Sequence, residues 1–168
     1  EAAIVKVCVL ASGSSGNATL VATGRTRILI DAGLSFGELT SRLALIGEEP
    51  AGLDAVLITH EHSDHVSGLP VLLRKLQYRP PVHVTALTAQ ALAWEDRAPH
   101  LETFQAGCRF VIGDFEIDSF TSSSASTFSM RSGVRPSTGL PSRTTIAPGG
   151  SDSTTIVPGK RSERRRGQ

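Results

Sequence analysis

The chain has 168 residues, of which 39% are hydrophobic, and a formal net charge of +1. This length and composition are typical of one globular domain. No apolar run approaches the roughly 20 residues of a membrane-spanning helix, and the early apolar run at residues 4–10 is too short for a signal peptide, so we expect no membrane association.

Strands and helices alternate in the pattern of residues 4–120. Ser35 is a good N-cap for a helix that ends near Ile46, before Gly47. The predicted strands are residues 4–10, 18–22, 27–30, 55–58, 82–85, 103–105, 109–112 and 115–120, and the further predicted helices are residues 66–76 and 88–94. This order predicts an α/β fold with one layer of sheet and helices over it.

The chain changes character beyond Phe120. Of the last 48 residues, 35 are Ser, Thr, Gly, Pro or Arg, and the net charge changes from −5 over residues 1–120 to +6 over residues 121–168. Such a segment cannot bury enough apolar surface to offset its conformational entropy. We therefore predict a partial domain over residues 1–120 and a disordered basic tail over residues 121–168.

Four potential metal ligands lie within the six residues HEHSDH at positions 60–65, directly after an apolar run. Imidazole nitrogen and carboxylate oxygen are ligands that zinc and its neighbours accept. Side chains alternate in an extended loop, so His60 and His62 would face one ion, and Asp64 and His65 a second. Two ions about 3.5–4 Å apart can share a hydroxide and hold a phosphoryl or acyl oxygen.

The pattern His-x-His-x-Asp-His after a buried strand resembles the signature of the metallo-β-lactamase superfamily of metallohydrolases. Asp31, in the run LIDAG at residues 29–33, resembles an early aspartate of that superfamily that hydrogen-bonds the His loop and orients it. The alternative is a turn Asp before Gly. The run VLASGSSGNAT at residues 9–19 is similar to the opening strand and loop of the YycJ-like branch, predicted or known as DNA exonucleases.

The opening loop is also a candidate phosphate-binding segment, in which Ser14, Ser15, Gly16 and Asn17 would place backbone N–H groups near a phosphate. A plain turn loop is the alternative, and no Lys follows the glycines as in a Walker loop.

The resemblance covers roughly residues 4–120 and implies the N-terminal half of an αββα sandwich with metal-dependent hydrolase activity, most naturally on the phosphodiester bonds of nucleic acid. It implies two divalent ions, zinc or alternatively manganese, with His60, His62, Asp64 and His65 as ligands. Asp64 would also have a catalytic role, orienting or deprotonating the nucleophile. Alternatives are a thioester, lactone or cyclic-phosphate hydrolase of the same fold, and an inactive remnant whose basic tail binds nucleic acid.

The chain departs from that family pattern in its second half. The branch's next metal-binding His would follow the strand at residues 115–120, where this sequence has only Thr and Ser, and no His follows His100. Each ion would keep two protein ligands, whereas a catalytic zinc usually has three and a water, so we expect weak binding. We interpret His83 as a packing residue and His100 as a surface residue.

We interpret residues 121–168 as the product of a lost reading frame near residue 120, with a genuine basic extension that contacts phosphates as the alternative. A half domain would leave an inner sheet face exposed, which predicts low stability. Cys8 and Cys108 lie far apart in strand-like runs, and we interpret both as buried, reduced thiols. Reduced thiols favour a cytoplasmic location.

Overall fold

A computed structural model describes residues 4–94, 97–122, 125–132, 143–146 and 156–158. Strands β1 to β11 are Lys6–Ala11, Ala18–Ala22, Arg27–Ile30, Ala55–Leu57, Val82–Thr85, Leu101–Phe104, Arg109–Ile112, Phe115–Ser122, Ala125–Ser132, Arg143–Ile146 and Ile156–Pro158. Helices α1 to α4 are Phe36–Ala44, Ser63–Val66, Leu69–Lys75 and Ala86–Ala91, and Pro50–Gly52 forms a single 3-10 turn. In these described ranges, no helix is long and apolar enough to cross a membrane.

The strands form two sheets, with the orders β1-β2-β3-β4-β5-β6 and β11-β10-β9-β8-β7. In the first sheet, β2 runs antiparallel to β1 and β3, whereas β3, β4, β5 and β6 are parallel. The carboxyl ends of parallel strands meet at one edge of a sheet, where open α/β sheets bind their ligands. The segments that follow β3 and β4 are therefore neighbours, although 28 residues separate Asp31 from Thr59.

Helices α1 and α3 cover one face of the first sheet. Leu39 and Leu43 of α1 and Leu72 of α3 are each at most 1% exposed. They share one apolar cluster with the alternate strand residues Leu20, Leu29, Val56 and Val82. The alternation follows from the period of two in a strand, which sends successive side chains to opposite faces.

The second sheet covers the opposite face of the first sheet. Ile28 and Leu57 of the first sheet pack with Ile117, Phe128 and Met130 of the second, and each of these side chains is at most 3% exposed. The prediction of one layer of sheet is therefore wrong. The expectation of an exposed inner face is also wrong, because the hairpins β7 to β9 fold back over it.

Regular structure continues beyond Phe120. Strand β8 extends to Ser122 and pairs antiparallel with β9, whose Phe128 and Met130 alternate into the core. The prediction that packing stops at Phe120 is therefore wrong for this strand. Strands β10 and β11 extend the same sheet. The rest of the predicted tail lies outside the described residues, and the domain boundary at residue 120 stays a prediction.

The helix predicted over residues 66–76 is divided into α2 and α3. Pro70 is in the first turn of α3, where its missing N–H costs no helical hydrogen bond. Gly68 lies between the two helices, and a Cβ there would lie 1.8 Å from the carbonyl oxygen of Leu34. The helix is therefore interrupted at Gly68, where the backbone contacts the segment after β3. The predicted cap of α1 is confirmed, since Ser35 Oγ accepts a hydrogen bond from the Glu38 N–H.

Both cysteines are free thiols, and their environments differ. Cys8 is half-buried and borders the helix-side core. Cys108 is exposed in the connection between β6 and β7. The prediction of a buried thiol is wrong for Cys108, because the turn before β7 faces away from both cores.

Glu48 ties β1 to β3 through two ion pairs. Its carboxylate lies 2.7 Å from Lys6 Nζ and 2.6 Å from Arg27 Nε. The hydrogen bonds from Lys6 and Arg27 hold the pKa of Glu48 below its usual value despite an opposing effect of burial. A carboxyl whose pKa is lowered in the folded state stabilises the fold above its unfolded pKa and loses that contribution as the pH falls through its folded pKa.

We expect Glu48→Gln to lower the free energy of unfolding at pH 7 by about 1 kcal/mol, which corresponds to about 2–4 °C in Tm. The difference from wild type should shrink as the pH falls from about 4.5 through the lower folded-state pKa, because the carboxyl is protonated first in the unfolded chain and then in the folded one. Thermal melts between pH 7 and pH 3 measure this, with the exposed neighbour Glu49→Gln as the matched control. A difference that stays constant across that range would contradict the prediction.

Candidate metal centre

The candidate site lies at the carboxyl edge of the parallel strands. Asp31 follows β3, and the hexapeptide at residues 60–65 follows β4 and enters α2. Backbone hydrogen bonds fasten these segments together, from Ala32 N–H to the His65 carbonyl and from Gly68 N–H to the Ala32 carbonyl. The loop before β2 joins them through Asn17 N–H, which donates to the Asp64 carbonyl at 2.7 Å.

Asp31 is the buried acceptor at the centre of the site. Its backbone φ is 61°, in the left-handed region that Asp tolerates better than most residues. Its carboxylate accepts from Thr59 N–H at 2.9 Å and lies 2.7 Å from His65 Nδ1. The contact that the resemblance implied for Asp31, from a carboxylate to the His loop, is therefore present. A carboxylate behind an imidazole fixes which ring nitrogen carries hydrogen and leaves the other free to bind.

Thr59 orients His60 in a similar way. The Thr59 hydroxyl lies 2.9 Å from Asp31 Oδ2 and 2.9 Å from His60 Nδ1. Its single hydrogen can be donated to the carboxylate, so its oxygen can accept from His60 Nδ1–H. This arrangement leaves the Nε2 lone pair of His60 available to a ligand.

Asp64 and His65 present a pair of donor atoms at the spacing of one metal ion. Asp64 Oδ2 lies 3.4 Å from His65 Nε2. Two ligands of a tetrahedral zinc, each about 2.0–2.2 Å from the metal, lie roughly 3.3–3.6 Å apart. The pair therefore fits two positions in the coordination sphere of one cation.

The three histidine rings of the hexapeptide cluster together. The ring centroids of His60 and His62 are 4.6 Å apart, and those of His60 and His65 are 3.9 Å apart. In the part of the chain that the structure describes, no three His, Cys, Asp or Glu side chains are placed to hold one ion. The donor set fits divalent metal in its chemistry and in the Asp64–His65 spacing, but it supplies only part of a coordination sphere.

Burial and neighbouring charges shift the pKa values of His60 and His65 in opposite directions. Burial alone would lower the pKa of His65, but the hydrogen bond and negative charge of Asp31, together with Asp64, outweigh burial and raise that pKa. The pKa of His60 is lowered, mainly by burial and then by the proximity of His65. The two carboxylates thus act most strongly on His65.

Glycines allow the three loops of the site to touch. A Cβ on Gly33 would lie 1.8 Å from the Asp64 carbonyl oxygen and 2.7 Å from the Asn17 backbone nitrogen. Gly16 has a φ of +148°, and a Cβ there would lie 2.9 Å from the Gly33 carbonyl oxygen. The run of small residues in each loop is therefore required for backbone-to-backbone contact around Asp64.

The loop predicted to bind phosphate is largely committed to internal contacts. Gly16 N–H donates to the Gly13 carbonyl, and Asn17 N–H donates to Asp64, so neither backbone group faces a ligand. Ser14 and Ser15 are exposed. The phosphate-binding role stays a prediction and depends on these two serines.

Sequence reasoning did not find two contributors to the site. The predicted strand ended before Thr59, which the sequence pattern did not single out, and Asn17 was assigned to phosphate although its carboxamide contacts Asp64 and His65. A polar residue at a buried strand end was the available signal for Thr59. The other two histidines lie outside the cluster: His83 stacks on Phe110 with 5.8 Å between ring centroids, and His100 pairs with Glu102.

These features define the class of protein: a two-sheet α/β fold that carries a loop of potential metal ligands at the ends of its parallel strands. The chain belongs to the metallo-beta-lactamase superfamily, whose family model matches residues 11–138. The family prediction made from the hexapeptide is thus confirmed.

Curated relatives resemble the first two thirds of the chain. The chain is 42% identical over 120 residues to exodeoxyribonuclease WalJ of Streptococcus pneumoniae, and the matched residues make up 68% of this chain and 44% of that protein. It is 41% identical over 118 residues to exodeoxyribonuclease YycJ of Bacillus anthracis, and there the matched residues make up 67% of this chain and 43% of that protein. The chain thus spans less than half the length of these relatives.

Solved structures share the fold at low sequence identity. A metallo-beta-lactamase of Cronobacter sakazakii superposes with a TM-score of 0.62 at 18% identity, over 76% of this chain and 57% of that one. The metallo-beta-lactamase fold protein YhfI of Bacillus subtilis superposes with a TM-score of 0.56 at 24% identity, over 76% of this chain and 56% of that one. The predicted sandwich architecture is therefore confirmed.

Proposed function

We propose that this chain carries the His-x-His-x-Asp-His part of the active site of a metal-dependent exonuclease that hydrolyses phosphodiester bonds in DNA. The observation that carries the proposal is the Asp64–His65 pair, whose donor atoms are 3.4 Å apart while the second ring nitrogen of His65 is held by Asp31. The names and identities of the two exodeoxyribonucleases support DNA as the substrate.

In this proposal His60 and His62 bind one divalent cation, and Asp64 and His65 bind a second. Zinc is the preferred metal and manganese the alternative, since nitrogen and carboxylate donors suit both. When bound, such a pair supplies a nucleophile at neutral pH and neutralises charge on the phosphate. Asp31 contacts Nδ1 of His65 and Thr59 contacts Nδ1 of His60, which would leave the Nε2 lone pair of each ring to hold a cation.

Asp64 has a second role in the proposal. Its carboxylate is 29% exposed, whereas the side chain of His65 is 5% exposed, so Asp64 lies on the side of the cluster open to substrate. From there it can accept a hydrogen bond and hold a nucleophile in line with the phosphate. The cytoplasmic location favoured by the sequence stays a prediction.

The proposal is tested by cation uptake and DNA degradation in the 168-residue chain. We expect zinc or manganese to bind weakly, in line with the partial donor set, and to support release of nucleotides from linear DNA. Asp64→Asn should reduce that rate by about 100-fold or more, because it removes a ligand and a proton acceptor together. His62→Gln should weaken cation binding by about tenfold or more.

His100→Gln is the matched control, because His100 lies on the surface with Glu102 and outside the cluster. It should change neither uptake nor rate. A chain that binds the cation and leaves linear DNA intact while cleaving a thioester would overturn the nuclease proposal. Equal losses in His100→Gln and His62→Gln would overturn the assignment of the site.

A further inference from the structure

The carboxamide of Asn17 is fixed by the backbone of Gly13. Asn17 Oδ1 accepts from Gly13 N–H at 3.0 Å, and Asn17 Nδ2 donates to the Gly13 carbonyl at 3.1 Å. The backbone of Asn17 is also held on both sides, because its N–H donates to the Asp64 carbonyl and its carbonyl accepts from Gly33 N–H. The side chain cannot rotate without breaking two hydrogen bonds at once.

The second hydrogen of that fixed amide faces the proposed metal ligands. Asn17 Nδ2 lies 2.9 Å from Asp64 Oδ2 and 3.2 Å from His65 Nε2. These are the two donor atoms that stand 3.4 Å apart. One nitrogen of Asn17 therefore contacts both members of the pair.

Asp64 depends on this contact for its orientation. Among the described residues, its carboxylate accepts a hydrogen bond from Asn17 and lies 3.4 Å from His65 Nε2, and the side chain is 29% exposed. A hydrogen bond to an ionised carboxylate is roughly twice as strong as one between neutral groups. Without Asn17 the carboxylate would be free to turn toward water and away from His65.

We propose that Asn17 is a positioning residue that holds the Asp64 carboxylate beside His65 Nε2, so that the pair is arranged for one cation before the cation arrives. This inference rests on the proposed function, because it assigns the pair to a cation. It changes the role of Asn17 from a phosphate contact to a support for the metal ligands. The chemistry requires asparagine, which donates to Asp64 and accepts from Gly13 at the same time.

The test is calorimetric titration of Zn²⁺ into the 168-residue chain and its variants. We expect Asn17→Ala to weaken binding at the Asp64–His65 position by about tenfold, and Asn17→Asp to weaken it further because a second carboxylate would repel Asp64 in the metal-free chain. Ser12→Ala, at an exposed position in the same loop, is the matched control and should bind as wild type does.

Equal Zn²⁺ affinity in wild type and Asn17→Ala would overturn the inference while leaving the proposed function intact. Failure of the wild type to bind Zn²⁺ would overturn both. Tighter binding by Asn17→Ala would also overturn the inference, since the amide would then be a competitor of the cation.

A second measurement needs no variant to fold. Asn17 is the sole asparagine of the chain, so ¹⁵N-labelled asparagine gives one side-chain NH₂ signal pair. We expect the two hydrogens to have well-separated chemical shifts and to exchange slowly, and the pair to shift when Zn²⁺ is added. Signals at the positions of a free, rapidly exchanging amide would overturn the inference.

Discussion

Asp31→Asn is expected to leave the chain folded while lowering its Zn²⁺ affinity by about 10- to 100-fold. Asparagine tolerates the φ of 61° at this position and can still accept from Thr59 N–H through its oxygen. Its nitrogen would then face His65 Nδ1, which now lies 2.7 Å from a carboxylate oxygen. An amide N–H that donates to Nδ1 forces the hydrogen of neutral His65 onto Nε2, and that nitrogen can no longer bind a cation.

Asp31→Ala, in contrast to Asp31→Asn, is expected to destabilise the fold itself. Alanine leaves Thr59 N–H and His65 Nδ1 without their acceptor at positions that are 3% and 4% exposed. It also fits a positive φ poorly. We expect a loss of about 3–5 kcal/mol in the free energy of unfolding, as for other buried charged groups deprived of one partner.

The matched control is Asp54→Asn, the same substitution at the opposite end of β4. Asp54 accepts from Arg27 N–H at 2.7 Å and is exposed, so this variant should retain wild-type cation affinity. Calorimetry measures the affinities, and long-range ¹H–¹⁵N spectra of the imidazoles report the tautomer of His65. Wild-type affinity in Asp31→Asn, or an unchanged tautomer, would contradict the role assigned to Asp31.

The first sheet and its helices were predictable because their signals are local. Strands β2, β3 and β5 have the predicted bounds, since short apolar or β-branched runs that end at turn residues mark them clearly. The hexapeptide was also predictable, since its spacing alone places four donors at a strand end. Its neighbour Asp31 could be inferred from the family pattern, and in the structure the two lie together.

The second sheet was harder to predict because its evidence is not local. Strand β9 is rich in Ser and Thr, and only the alternation of Phe128 and Met130 indicates a buried face. That alternation can be recognised as a buried face only when β9 is known to pair with β8. The composition of the following residues concealed this signal of two side chains, so the strand beyond Phe120 was not predicted.

The loops around the site depend on contacts between segments 30 to 50 residues apart. Asn17 reaches Asp64 across 47 residues, and Ser67 Oγ reaches the Gly33 carbonyl across 34. Spacing within one segment cannot reveal such a contact. The excess of glycine in these loops was visible in the sequence, but the reason for it, close approach of three backbones, required the structure.

Gly33→Ala is expected to damage the fold and the site together. A Cβ at this position would lie 1.8 Å from the carbonyl oxygen of Asp64, 2.6 Å from its carbonyl carbon and 2.7 Å from the Asn17 nitrogen. All three are backbone atoms, which cannot swing aside as the end of a flexible side chain can. Because Gly33 does not have a positive φ, the effect is one of space and not of backbone strain.

We expect Gly33→Ala to reduce the free energy of unfolding by about 3 kcal/mol, or about 6–12 °C in Tm. The displaced Asp64 backbone would break the hydrogen bond from Asn17 N–H and move the carboxylate away from His65, so Zn²⁺ binding should fall with stability. Thermal melts and calorimetry on the same preparations measure both quantities.

Gly37→Ala is the control that isolates the cause. Gly37 lies in α1, and a Cβ there would meet no atom within 4 Å. Alanine in a helix is favoured over glycine by about 0.5–1 kcal/mol, so this variant should melt slightly higher than wild type and bind Zn²⁺ equally well. If Gly33→Ala also melted at or above the wild-type temperature with unchanged affinity, the three loops could not be packed as closely as described, and the positioning of Asp64 by its neighbours would lose its physical basis.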